Sequence, residues 1–247
     1  MRHKIIRSKM KKGKTLMNDP ILSRHVPKTY WYRTARLRNM LNLYSAVYIK
    51  PDIGRKGNGV IRVRKLNDLQ VEISNRNNTI KCSKKELRDE IKKLMSPERK
   101  YLVQQGINLA TYHGHPFDVR IVLQKPLRRW RVSLMTAKVA PHQHSVVTNI
   151  SKGAKDVNVI KVLQGIDQSV NGYKILRDLI DTSHQIAQLL GSRFPLKIVG
   201  LDMAIDKKGK IWFIEANTKP DNSGLQSLDR GLYRRYLESR RWIKRSR

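Results

Sequence analysis

Apolar residues recur along this chain at two spacings, and the spacing sorts it into helices and strands. Leu37, Met40, Leu41 and Tyr44 share one face of a helix expected over residues 28–43. Short apolar or alternating runs bounded by turn residues predict strands at 46–50, 60–64, 69–74, 79–82 and 101–104. Ser83 and Glu86 have the spacing of a capping box ahead of Leu87, Ile91 and Leu94, so a helix is expected there. A hairpin is expected over 119–124 and 131–139, with its turn near 126–130. Residues 141–172 lack periodicity and read mostly as loop. Residues 175–190 carry a helical stripe of Ile175, Leu179, Ile186 and Leu190, with Gly191 expected as its cap. Two strands, 198–205 and 211–217, flank a turn at Asp206–Gly209. Hairpins outnumber βα alternations, which argues for an α+β architecture with antiparallel sheets and against a Rossmann fold.

Charge changes the picture more than composition does. The 247 residues include 52 Lys and Arg against 19 Asp and Glu, a net charge of +33. Such a surplus favours polyanionic partners: nucleic acid, nucleotides, an anionic polymer or a membrane surface. Seven basic residues fall within 1–14, read as a loose basic arm, and eight lie in the tail from Arg230 to Arg247, read as a basic helix. Cys82 is the one cysteine, so an intrachain disulfide and a Cys-rich zinc site are excluded. No signal peptide and no membrane span are expected, and the default reading is a cytoplasmic protein.

In so basic a chain, acids placed on one strand pair stand out. Asp202 lies on the outgoing strand of the last hairpin, and Glu215 and Asn217 lie on the returning one. Residues two apart share a strand face, so Glu215 and Asn217 point the same way. The turn sets Asp202 opposite residues 213–215. Two carboxylates and an amide oxygen converging there suit Mg²⁺, which prefers oxygen ligands and shares its shell with phosphates. The alternative is pairing of Asp202 and Glu215 with nearby arginines. Lys50 ends a strand before a loop containing Gly54, Arg55, Lys56, Gly57 and Gly59. Glycines let backbone N–H groups approach phosphate, although the spacing is neither a Walker A loop nor a dinucleotide fingerprint. Arg120 and Lys138, on paired strands, could clamp phosphate oxygens.

These segments resemble the ATP-grasp superfamily, specifically the YheC/YheD-type proteins of spore-forming bacteria. The matching stretches run in family order at residues 47–63, 101–109, 117–124, 136–140, 147–154 and 200–220, and the resemblance covers roughly residues 26–225. It implies an ATP-grasp fold of two lobes with antiparallel sheets enclosing ATP; the chain is then divided into a basic arm at 1–27, a first lobe at 28–104, a second at 105–229 and a basic helix at 230–247. It implies that Lys50 contacts the α- and β-phosphates and that the loop from Gly54 to Gly59 is a phosphate lid. Gln104, Gln105 and Ile107 would hold adenine, and Arg120 and Lys138 would face the γ-phosphate. Asn149 and Gly153 would line the acceptor side, with Asp202, Glu215 and Asn217 holding Mg²⁺. The implied chemistry is phosphorylation of a substrate carboxylate followed by attack of an amine or thiol, with an association with spores. Lys138 stands where the family commonly has arginine, Ala154 where a second glycine is expected, and Asp221 where glycine is usual. Most of the domain that often precedes the core is expected to be missing.

The competing reading is a basic protein that binds nucleic acid or another polyanion, or builds the spore coat, with a degenerate ATP site. Four smaller candidates complete the reading. His113 with His115 and His142 with His144 are alternating pairs that zinc could use. Trp212 is expected in the core, and Asp206 is expected as a turn residue. Cys82 precedes a helix cap, where a lowered thiol pKa is possible.

Overall fold

The computed structural model describes residues 3–76, 78–143, 145–146, 153–220 and 230–245. They form two compact units, Pro27–Ile107 and Met1–Val26 with Asn108–Arg247.

The basic first residues are not a loose arm. Helix α1 (Lys9–Met17) places Met10 and Leu16 in the interior, and Ile6 is buried ahead of it. Lys12 is buried too, its ammonium donating to the Ile6 carbonyl at 2.8 Å. Apolar residues interleaved with the lysines let the segment pack while Arg7, Lys11 and Lys14 stay exposed.

In the unit Pro27–Ile107, six antiparallel strands run in the order β1-β6-β2-β3-β4-β5. They are β1 (Thr29–Trp31), β2 (Ala46–Pro51), β3 (Ile61–Lys65), β4 (Gln70–Ser74), β5 (Thr79–Ser83) and β6 (Tyr101–Gln105). Helices α2 (Thr34–Leu43) and α3 (Leu87–Leu94) bring Leu37, Met40, Leu41, Leu87 and Ile91 against Val47, Ile49, Val63 and Val103. The helix expected over 28–43 therefore starts six residues late. Thr29, Tyr30 and Trp31 instead pair with Gln104, Val103 and Leu102, because β-formers beside an open sheet edge gain ladder bonds there. The capping box closes as expected: Ser83 N donates to Glu86 Oε2 at 2.9 Å, and Glu86 N donates to Ser83 Oγ at 3.3 Å. Replacing Ser83 by Ala is expected to cost about 1 kcal/mol, read as a lowered denaturant midpoint at unchanged slope.

The other unit carries β7 (Thr111–Tyr112), β8 (His115–Gln124), β9 (Arg131–Val139), β10 (Lys155–Val157), β11 (Ile198–Ile205) and β12 (Ile211–Asn217). Their order is β10-β9-β8-β11-β12, with β7 paired to β8. Helices α4 (Val159–Gln164) and α5 (Gly172–Arg193) join α1 on one face. Phe117, Val119, Ile121 and Leu123 of β8 alternate into that core beside Leu179, Ile186 and Leu190 of α5. The stretch 141–172, read as loop, thus supplies a strand and a helix. Both are too short for periodicity to register, and Asn158 starts α4 by accepting from Ile160 N and Lys161 N. Gly191 is not a cap, since α5 continues to Arg193. A Cβ there would stand 2.7 Å from the Trp130 ring, so glycine is required by close packing. Helix α6 (Arg230–Arg245) lays Tyr233, Tyr236 and Leu237 on Val122, Leu134 and Ile198, on the opposite sheet face. No helix among the described residues is long and apolar enough to cross a membrane.

Candidate functional site

The alternation that buries one face of the second sheet puts charge on the other. On β8, Asp118 and Arg120 point away from the core side taken by Phe117, Val119 and Ile121. Backbone register then assembles neighbours from four strands. Arg120 lies opposite Asp202 on β11, Asp202 opposite Glu215 on β12, and Asp118 opposite Lys138 on β9. Asp156 on β10 lies opposite Lys138. The register expected from the turn, Asp202 against 213–215, is the observed one. Gly200 pairs with Asn217, and a Cβ on it would sit 2.8 Å from Pro220, so only glycine leaves the strand ends as they are.

Asp202 is the hub. Arg120 grips it with two hydrogen bonds, Nε to Oδ1 at 2.5 Å and Nη2 to Oδ2 at 2.9 Å. Lys138 donates to the same Oδ1 at 2.8 Å, and Asn217 Nδ2 donates to Oδ2 at 3.3 Å. Lys138 also stands 3.4 Å from Asp118, and Lys9 of α1 stands 3.5 Å from Glu215. Burial would raise the Asp202 carboxyl, but Arg120 and Lys138 outweigh it and hold it well below the usual carboxylate range. Burial likewise opposes the charge on Arg120 and Lys138, and Asp202 reverses the balance, keeping both firmly protonated. Burial pushes the Asp156 carboxyl up, despite a hydrogen bond from Thr136 Oγ1 at 3.3 Å. The pairing of Asp202 with basic side chains, set out above as the alternative to a metal site, is thus the arrangement observed.

The same residues fit a divalent cation. Asp202, Glu215 and Asn217 form an oxygen-bearing set on one side of one hairpin, with Asp202 and Glu215 side chains 13% and 24% exposed. The carboxylate charge now balanced by Arg120 and Lys138 is charge that Mg²⁺ could balance once those side chains turn elsewhere. Among the described residues no group of three or more His, Cys, Asp or Glu could hold a metal, so the amide of Asn217 is needed to complete the set.

In the unit Pro27–Ile107, Lys50 of β2 projects from the face opposite Val47 and Ile49. Its ammonium donates to Gln104 Oε1 at 2.7 Å, and Gln104 Nε2 donates to Thr29 Oγ1 at 3.0 Å. The loop linking β2 to β3 turns through left-handed backbone at Lys56, Gly57 and Gly59, with φ of 56°, 68° and 73°. Arg55 and Lys56 are exposed on it, and Gly54 lies against Pro51. Gln105 accepts from Lys28 N at 3.2 Å, and Ile107 ends the unit. Gly153 has φ 88° beside Pro141; Asn149 lies outside the described residues.

Several neighbours were not legible as site residues. Lys9 sat in the supposed arm, and Asp156 in the supposed loop. Arg62 and Glu72 share a face with Tyr48 and Lys50. Arg62 lies opposite Tyr48, and Arg64 binds Glu72 at 2.8 Å. Only strand register could have found them. The smaller candidates resolve as structural. His115 Nδ1 bonds the Ala140 carbonyl, and His113 N donates to Asp167; His144 lies outside the described residues. Asp206 accepts from Lys208 N, Lys210 N and Trp212 Nε1, so it holds its own turn. Trp212 is half-buried, with Lys210 3.8 Å over its ring, so it is not a core residue. Burial, then Glu86 and Glu90, push the Cys82 thiol up rather than down.

Two antiparallel sheets, one carrying a lysine and a glycine loop and the other an acid-and-base face, make up an ATP-grasp fold. The ATP-grasp ligase PsnB, solved with a phosphomimetic variant of its minimal precursor, Mg and ADP, shares it. The TM-score is 0.53 at 14% identity, over 94% of this chain and 59% of that one. The profile described as YheC/D like ATP-grasp matches residues 2–241, and the chain belongs to that family. It is similar to the endospore coat-associated protein YheD of Bacillus subtilis (strain 168), 26% identical over 219 residues. It is similar also to the endospore coat-associated protein YheC of that organism, 23% identical over 217 residues. The matches cover 84% and 85% of this chain but 47% and 59% of those proteins, so it spans about half their length.

Proposed function

We propose that this protein is an ATP- and Mg²⁺-dependent carboxylate ligase that phosphorylates a substrate carboxylate and passes the acyl group to an amine or thiol. The observation that carries the reading is Asp202, a half-buried carboxylate held at once by Arg120 and Lys138. With nucleotide bound, Arg120 and Lys138 would turn from Asp202 to phosphate oxygens, and Lys138 has Asp118 as a second anchor. Asp202, Glu215 and Asn217 would be the residues to hold Mg²⁺, which when bound would supply neutralisation of phosphate charge. Lys50 takes the α- and β-phosphates, the loop from Gly54 to Gly59 covers them with Arg55 and Lys56, and Gln104, Gln105 and Ile107 receive adenine. Gly153 would line the acceptor side, the role the family resemblance also gives Asn149. The lobes are taken as the units Pro27–Ile107 and Met1–Val26 with Asn108–Arg247, which differ from the 28–104 and 105–229 read from the sequence by residues 105–107 and by the two basic ends. Such catalysis rests on positioning and charge neutralisation, so no nucleophilic side chain is required. The names of YheC and YheD favour a role near the spore.

The test is ADP release from Mg-ATP across amino acids, peptides and other carboxylates. Lys50→Met is expected to weaken nucleotide binding about tenfold to hundredfold, the worth of one charge-assisted contact. Absence of ADP release with every carboxylate, together with unchanged nucleotide affinity in Lys50→Met, would overturn the reading.

A further inference from the structure

The two basic ends of the chain meet different fates. Near the N-terminus Lys12 is buried and Lys9 pairs with Glu215. Helix α6 instead turns its basic residues outward. Arg230, Arg234, Arg241 and Arg245 are all exposed and fall within about 60° of one another around the helix. Among the described residues none of the four makes an ion pair. The neighbouring side is already used, through Tyr233, Tyr236 and Leu237 on the sheet.

This surface is held at a cost. On it, Arg230 with Arg234 and Arg241 with Arg245 are like-charge pairs at i,i+4, each unfavourable. Glu238 is the only acid in the helix, and its first turn has none to offset the dipole. Beside α6 lies the β8–β9 turn, where Leu127 and Arg128 adopt left-handed backbone at φ 49° and 64°. Non-glycine residues pay for that conformation, which here leaves Leu127 61% exposed next to the exposed Arg128 and Arg129. An anion laid along α6 relieves the repulsion. Trp242 narrows the choice: it is 49% exposed at the edge of the arginine stripe. A flat ring among arginines serves unpaired bases, which stack on it while the guanidinium groups follow the phosphates.

We propose that the outer face of α6, with the adjoining β8–β9 turn, is a docking surface for single-stranded nucleic acid. The test uses the full chain and a labelled oligodeoxythymidylate, followed by fluorescence anisotropy across a salt series. Affinity is expected to fall steeply with salt. The triple variant Arg234→Gln, Arg241→Gln, Arg245→Gln is expected to flatten the log–log slope by about 2. Trp242→Leu is expected to weaken binding about tenfold, with Mg-nucleotide binding unchanged. Ultraviolet cross-linking of the unaltered protein should map to residues 230–245. Cross-links confined to other segments, or a triple variant that binds as the parent does, would overturn the proposal. Inorganic polyphosphate, duplex DNA or phosphatidylglycerol vesicles binding as tightly as the single strand, with no effect of Trp242→Leu, would also overturn it by reducing the surface to charge alone.

Discussion

Asp202→Asn is expected to bind Mg-nucleotide more weakly than the parent protein and metal-free nucleotide more tightly. The carboxylate has two suitors in the proposed cycle. In the structure it balances Arg120 and Lys138; with nucleotide bound it would balance a metal ion. An amide does neither. Both cations are then left beside a neutral group and gain more from an arriving phosphate, while the metal loses a charged ligand. Turnover should fall at least about hundredfold, the scale seen when one preorganised electrostatic group is removed. Metal-free ADP should gain up to about tenfold in affinity. Calorimetric titration with and without EDTA separates the two effects. A variant weaker in both conditions would refute the exchange while leaving nucleotide use intact. Stability carries a second signature. Breaking a buried pair costs about 3–5 kcal/mol, less here because Asp118 remains beside Lys138. Because the Asp202 pKa is depressed in the fold, its contribution is present above the unfolded carboxylate value of about 3.9 and drains away as pH falls below it. Acid unfolding of the Asn variant should therefore lack that component.

Phe117→Ala is expected to have the largest purely structural effect, about 3–5 kcal/mol. Phe117 is fully buried among the α5 and β11 side chains, one residue before Asp118 on the same strand. Its removal opens a cavity on the core face and leaves the charged face unaltered. Chemical denaturation should show the loss, while the Mg²⁺ dependence of nucleotide binding in the remaining folded protein stays as in the parent. A change in that dependence would mean the two faces of β8 are not separable.

Much of this was readable in the residues, for local reasons. The β11–β12 hairpin follows from a four-residue turn, so the meeting of Asp202 with Glu215 needed no distant information. The stripe of α5 and the reciprocal bonds of Ser83 and Glu86 are equally local. The errors were local readings overruled by a partner elsewhere. Residues 29–31 became a strand because β6 offered an edge, and Gly191 is glycine because Trp130 fills the space.

The sequence alone determined the family, the antiparallel architecture and the acids of the last hairpin, because each is written in short-range spacing and in the order of motifs. Tertiary structure decided who neutralises Asp202. Arg120 and Lys138 reach it from strands far away in the chain, Asp118 and Asp156 flank Lys138, and Lys9 comes from the opposite end. Pairing between distant strands depends on which register buries most apolar surface on the other face, and that sum is available only to the folded sheet.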